Sequence, residues 1–205
     1  MPAVHLLDYA ATHPNAVVRF RASDMLLHID SDASHLCEPK ARSRVGGHFF
    51  LDGKDDPKAP PKPNGAIHVE CRILRPVMGS AAESETAGLY HNAREGTAIR
   101  HTLAEMGHPQ PPTPIQCDNT VATGLANDTI KPKRTKAMDM RFYWIKDRVR
   151  QGHFRIHWKP GKGNLADYFT KHFPPSHHIQ VRPTYLQVAQ SGDQQNKNTK
   201  QSKRV

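Results

Sequence analysis

Between residues 25 and 74 the sequence carries three strand-like runs with no helical stretch among them, and after Ser80 strands and helices alternate. That change of rhythm excludes a purely helical or purely β architecture. Back-to-back strands pair as an antiparallel meander, whereas strands separated by helices join a sheet in parallel. The first run covers residues 25–29, and by the period-two rule His28, Asp30 and Asp32 share one face of it. A charged loop from Glu38 to Arg44 leads to the second run, residues 45–51. A turn with a proline cluster ending at Pro63 separates that from the third, residues 66–74.

The longest helix candidate opens at Ser80-Ala81-Ala82-Glu83, an S-x-x-E capping box in which Ser80 caps and Glu83 reaches back to the Ser80 amide. Ala82, Leu89, Ala93, Leu103 and Met106 fall near one helical face, Gly107 suits the C-terminal cap, and Pro109 to Pro112 stop the run. A short strand at Ile115–Cys117 then hands over through Asp118-Asn119 to a short helix. A basic connection containing Lys131, Lys133, Arg134 and Lys136 leads to an amphipathic helix with Met138, Phe142, Ile145 and Val149 on one face, ended by Gly152. Residues 154–158 form the last strand and 164–171 a short helix. The expected order is βββ-α-β-α-α-β-α, an α/β layer fold on a mixed sheet.

Composition bounds the partners. The formal charge is +10 and the pI about 9.7, which points toward a polyanion. Cys37, Cys71 and Cys117 make no CxxC pair and read as reduced, partly buried thiols of an intracellular protein. No apolar run reaches membrane-spanning length and the N-terminus lacks a signal-peptide pattern, so the expected location is intracellular, not secreted, with no membrane partner. The 14 histidines include no HExxH motif, which argues against zinc chemistry. Residues 1–23 are too short to fold alone, and residues 174–205, with a Gln/Asn/Lys-rich end, read as a basic disordered tail. Trp144 and Trp158 read as core residues.

Acids fall where α/β chemistry is usually built, at strand ends and helix starts. Asp30 and Asp32 compete for one place on the first strand. The cap gives Glu83 a structural task, which leaves Glu85 as the better ligand. Asp118 follows the fourth strand, with Asn119 as a helix N-cap first and a contact residue second. Asp167 alone reads as a solvated helix acid. Carboxylates brought together repel unless hard cations such as Mg²⁺ or Mn²⁺ neutralise them, and two such ions suit in-line phosphoryl transfer.

The chain resembles the ribonuclease H domain of copia-type LTR retrotransposon polyproteins. The matching pieces are Ser31-Asp32-Ala33-Ser34, Ser80 to Glu85, Cys117-Asp118-Asn119, Arg134-Thr135-Lys136 with Met138-Asp139, and Asn164-Leu165-Ala166-Asp167 with Thr170-Lys171, in the family's order across residues 24–173. The resemblance implies an RNase H-like fold with a five-stranded mixed sheet, three antiparallel strands then two parallel, flanked by helices. It selects Asp32 over Asp30 and implies a catalytic and metal-binding set of Asp32, Glu85, Asp118 and Asp167. It further implies two Mg²⁺ ions, cleavage of the RNA strand of RNA/DNA hybrids, a cytoplasmic retroelement particle or the nucleus as location, and an upstream reverse-transcriptase domain whose connection ends in residues 1–23. Beside such a site Asn119, Lys131, Lys133, Arg134 and Lys136 would contact the nucleic acid. Ala137 and Thr86 depart from the family pattern, and the loop Lys159 to Gly163 lacks the histidine some ribonucleases H carry there. The alternatives are a binding-only remnant of the same fold or an integrase-like nuclease.

Overall fold

A computed structural model describes residues 2–53, 64–130 and 139–188. The chain divides into two compact units, Met1–Phe20 with Pro174–Val205, and Arg21–Phe173. In the first, helix α1 (Pro2–Thr12) precedes strand β1 (Ala16–Val17), which pairs antiparallel with Gln187–Val188. Residues 175–188, read from the sequence as part of a disordered tail, thus hold a helix, Pro175–Tyr185, and a short strand. Pro175 sits in the first turn, where proline is already set for helix. The helix buries no residue, so it has no apolar stripe for a sequence reading to find.

The second unit is built on the sheet β4-β3-β2-β5-β6. Strands β2 (Leu26–Glu38), β3 (Arg42–Asp52) and β4 (Ala66–Ile73) form the antiparallel meander. β5 (Thr113–Cys117) pairs parallel with β2, and β6 (Phe154–Trp158) parallel with β5. The mixed sheet expected from the order of runs is therefore present. Helices α2 (Ala81–Glu105), α3 (Thr120–Ala126) and α4 (Asp139–Arg150) connect the later strands.

One sheet face is apolar. Leu27 and Ile29 of β2, Ile115 of β5 and Ile156 of β6 join Leu89, Ala93 and Leu103 of α2 and Ile145 of α4 in the main core. Gly96 lets α2 come close, since a Cβ there would lie 2.7 Å from Ile29 Cδ1. Buried Asn92 ties the helix to the sheet, donating from Nδ2 to Ser31 Oγ and to Gly46 O, both at 2.9 Å. The opposite face presents His28, Asp30 and Asp32 of β2 and His48 and Phe50 of β3. A 3-10 helix, Leu165–Phe169, packs there: Leu165 N–H donates to Asp30 Oδ2 at 3.3 Å, and Phe169 stacks on His48 at 6.3 Å.

Three local expectations are corrected. β2 runs on through a register shift between Ser34 and Glu38, so Asp32 lies within the strand instead of ending it. The charged loop is a tight hairpin in which Lys40 and Ala41 take positive φ, 61° and 52°, without the glycine or asparagine that usually marks it. Met106 is 64% exposed because it is already the C-cap of α2. Gly107, at φ 89°, takes the left-handed position expected of it after the helix.

Candidate metal centre

Three elements converge at one end of the sheet. Asp32 comes from the middle of β2, Glu85 from the second turn of α2, and Asp118 from the residue that follows β5. One carboxylate oxygen of each lies within 4.8 Å of the others. Asp32 and Glu85 are buried and Asp118 is half-buried. The parallel pairing of β5 with β2 and the docking of α2 on the apolar face bring them together.

Each buried acid is held by a donor. Thr170 Oγ1 donates to Asp32 Oδ2, and Ala33 N–H donates to Glu85 Oε1 at 3.1 Å. The Cys117 thiol lies 3.8 Å from Glu85 Oε2. Burial, then the neighbouring Asp32 and Asp118 charges, push the Glu85 carboxyl up to about 9. Burial also raises Asp32, opposed by the Thr170 hydrogen bond and Lys171 and reinforced by Asp118. Burial lifts the Cys117 thiol to about 12, so it is a neutral wall of the site. A buried group of acids that resists carrying its own charge is short of positive charge, and an all-oxygen set of this kind fits a hard divalent cation.

The competing acids separate cleanly. Asp30, raised to about 6 by burial, lies across from His48 and under Leu165, outside the group. Ser80 Oγ caps α2 by accepting from Glu83 N–H at 3.2 Å, but the Glu83 carboxylate reaches the Gly79 amide at 2.7 Å and not that of Ser80. Asp167 sits on the 3-10 helix, ion-paired with Lys171 one turn on, and is not among the three converging acids. Asn119 caps α3, its Oδ1 accepting from Ala122 N–H at 3.0 Å. Lys131, Lys133, Arg134 and Lys136 lie outside the described residues.

Three contacts escaped the sequence reading. Thr170 belongs to a quoted motif, but only the fold shows that it meets Asp32. Gly161 leaves room for Asp118, since a Cβ there would lie 2.6 Å from Asp118 Oδ2. Trp158, expected in the core, is 48% exposed and donates from Nε1 to the Asp118 carbonyl at 2.9 Å. Trp144, by contrast, packs against the core and Tyr90.

No protein-family model matches the chain. The retrovirus-related Pol polyprotein from transposon TNT 1-94 of Nicotiana tabacum is 27% identical over 155 residues, which is 76% of this chain and 11% of that polyprotein. LC11-RNase H1, isolated from compost by a metagenomic approach, matches with a TM-score of 0.51 at 13% identity, covering 71% of this chain and 93% of that one. The structure of LC11-RNase H1 in complex with an RNA/DNA hybrid matches with the same TM-score of 0.51 at 12% identity, covering 70% and 93%. The fold is thus that of ribonuclease H, and the sequence likeness is to a retrotransposon Pol polyprotein, of which the chain spans about a tenth of the length, 11%.

Proposed function

We propose that this chain, a ribonuclease H-fold domain of retrotransposon Pol type, hydrolyses the RNA strand of RNA/DNA hybrids. Asp32, Glu85 and Asp118 would hold divalent ions, Mg²⁺ or Mn²⁺, and Asp167 would join them by releasing Lys171. The observation that carries the reading is the convergence of three carboxylates within 4.8 Å, two of them buried. The relatives support it as well: LC11-RNase H1 was solved with an RNA/DNA hybrid, and the sequence likeness is to a transposon polyprotein. The copia-type assignment and an upstream reverse-transcriptase domain as partner belong to the same proposal.

When bound, two such ions supply Lewis acidity at the phosphodiester and lower the pKa of the attacking water. The chain's own residues preset the geometry. Thr170 occupies one Asp32 oxygen and the Ala33 amide one Glu85 oxygen, so both carboxylates are oriented before any ligand arrives. The buried Cys117 thiol, which stays protonated, stands 3.8 Å from Glu85 Oε2 and keeps bulk water from that side of the carboxylate. Asn119, Lys131, Lys133, Arg134 and Lys136 would contact the sugar-phosphate backbone, which fixes register without reading sequence.

The test is cleavage of an RNA/DNA hybrid labelled on the RNA strand, with Mg²⁺ and with EDTA, beside single-stranded RNA and duplex DNA. Mg²⁺-dependent cleavage of the hybrid alone, abolished in Asp118→Asn, is the expected result. Hybrid binding without cleavage would leave only a binding module. Cleavage or strand transfer on duplex DNA would mean a different nuclease of this fold.

A further inference from the structure

Trp158 ends β6 and begins the segment Lys159-Pro160-Gly161-Lys162-Gly163. Its indole N–H, the only donor it has, is spent on the Asp118 carbonyl at 2.9 Å. The ring is therefore locked beside the acid site, yet the residue is 48% exposed. A tryptophan that served packing alone would bury that face. What it offers outward is flat apolar area, not a hydrogen bond.

The segment that follows is equally fixed. Lys159 N–H donates to Cys117 O at 3.2 Å and Asn164 N–H to Gly161 O at 2.9 Å. Buried Asn164 donates from Nδ2 to Ser31 O at 2.9 Å and accepts from Ala166 N–H at 3.0 Å. Gly161 brings its backbone against Asp118 Oδ2, and Gly163, at φ 92°, turns the chain toward the 3-10 helix. Lys162 projects between those glycines as an exposed cation.

We infer that Trp158 and Lys162 form a nucleotide-contacting rim beside Asp118, the indole face packing on a sugar of the hybrid and the Lys162 ammonium meeting the neighbouring phosphate. The assignment deepens the nuclease reading and rests on it for the identity of the strand, an RNA/DNA hybrid. Covering part of the exposed indole against a sugar is worth about tenfold in affinity at roughly 25 cal/mol per Å² of apolar area, and one phosphate contact contributes about one unit of salt slope. The rim would fix the strand against the acids without reading its sequence.

The experiment uses the full chain with Trp144→Phe, so that Trp158 is the sole tryptophan and is excited selectively over the tyrosines, titrated with RNA/DNA hybrid in Ca²⁺. Saturable quenching is expected. Trp158→Ala should weaken hybrid binding about tenfold and raise KM with little change in kcat, while Trp158→Phe, which keeps a ring face but loses the hydrogen bond to Asp118, stays near the unmutated value. Lys162→Gln should lower the salt slope of binding by about one. Absent quenching, unchanged affinity in Trp158→Ala, or equal losses in the Phe and Ala variants would overturn the inference, the last because only the hydrogen bond would then matter. The two readings fail separately. Cleavage that Asp118→Asn abolishes but Trp158→Ala leaves at full KM sinks the rim alone. Quenching and tenfold weaker binding without any cleavage sink the nuclease and keep the rim.

Discussion

The two faces of the central sheet solve opposite problems with the same strands. On one, Leu27, Ile29, Ile115 and Ile156 disappear beneath α2 and α4, and the gain is hydrophobic burial. On the other, His28, Asp30, Asp32 and His48 are buried too, and a 3-10 helix instead of a long one packs on Asp30 and His48. Alternation along β2 makes the difference: each step of one residue crosses from a face that stabilises to a face that holds charge. The acid site stands where the two meet, with Asp32 from the polar face and Glu85 from a helix of the apolar one.

The sharpest way to break this division is to remove charge where the faces meet. Asp118→Asn should lower hybrid cleavage by about a thousandfold, since a divalent clamp is worth several kcal/mol in the transition state. The same change should raise the metal-free melting temperature, because the Asp118 charge helps to push both Glu85 and Asp32 upward. Thermal unfolding in EDTA and with added Mg²⁺ checks it: the ion should stabilise the unmutated chain and leave the variant unmoved. A variant that melts lower in EDTA would mean the acids do not repel as their burial implies.

Next in size is a cavity on the apolar face. Ile29→Ala removes a side chain 1% exposed and seated against Gly96, and truncations of this kind cost about 3–4 kcal/mol. Urea unfolding reads the loss, and kcat of the folded fraction should hold. A fall in kcat larger than the fall in folded fraction would show that the apolar face positions Glu85 more tightly than packing alone requires.

The apolar face was the more legible of the two, for physical reasons. Period-two strands, the cap at Ser80 and the stop at Gly107 are local signals, and they gave the strand order, the helices and the distinction between Glu83 and Glu85. Asp32 was readable because the resemblance chose it over Asp30, which local pattern left tied with it, whereas Asp118 and the Asn119 cap stood out locally where a strand hands over to a helix. The polar face depends on contacts between residues over a hundred positions apart, Asp32 with Thr170 and Asp30 with Leu165, which no local pattern encodes. The hairpin at Lys40 and Ala41 and the exposed helix Pro175–Tyr185 were missed because neither carries the turn residue or the apolar stripe that announces such elements.

The polar face has its own signature in acid. Burial lowers His48 to about 4, and the residue is 2% exposed. Between pH 6.5 and 4 the unfolded chain therefore binds a proton that the folded chain refuses, so stability from this group is lost as pH falls through that window. Replacing the ring by Phe removes the loss. The difference between His48→Phe and the unmutated chain should thus grow in the variant's favour by roughly 3 kcal/mol from pH 6.5 to 4. Buried Asp30, raised to about 6, acts with the opposite sign, which is why the variant-minus-parent difference and not the raw profile is the quantity to measure. A difference that stays flat with pH would show that His48 accepts its proton inside the fold.

The smallest effect divides labour within two adjacent residues. Asp118 supplies charge, while Asn119 spends its side-chain oxygen on the Ala122 amide at the start of α3. Asn119→Ala should cost about 1 kcal/mol, the usual worth of an N-cap, and Asn119→Ser should restore most of it because a hydroxyl accepts the same hydrogen bond. Chemical unfolding of both variants measures the cap. Hybrid affinity measured in parallel isolates what the amide does beyond it, since Ser keeps the helix but not the NH₂ group. If Asn119 also touches the backbone of the strand, the Ser variant is stable yet binds less tightly, by a smaller factor than Trp158→Ala. If the two losses vanish together, Asn119 belongs wholly to the scaffold, and the contact surface begins at Asp118 and the rim beside it.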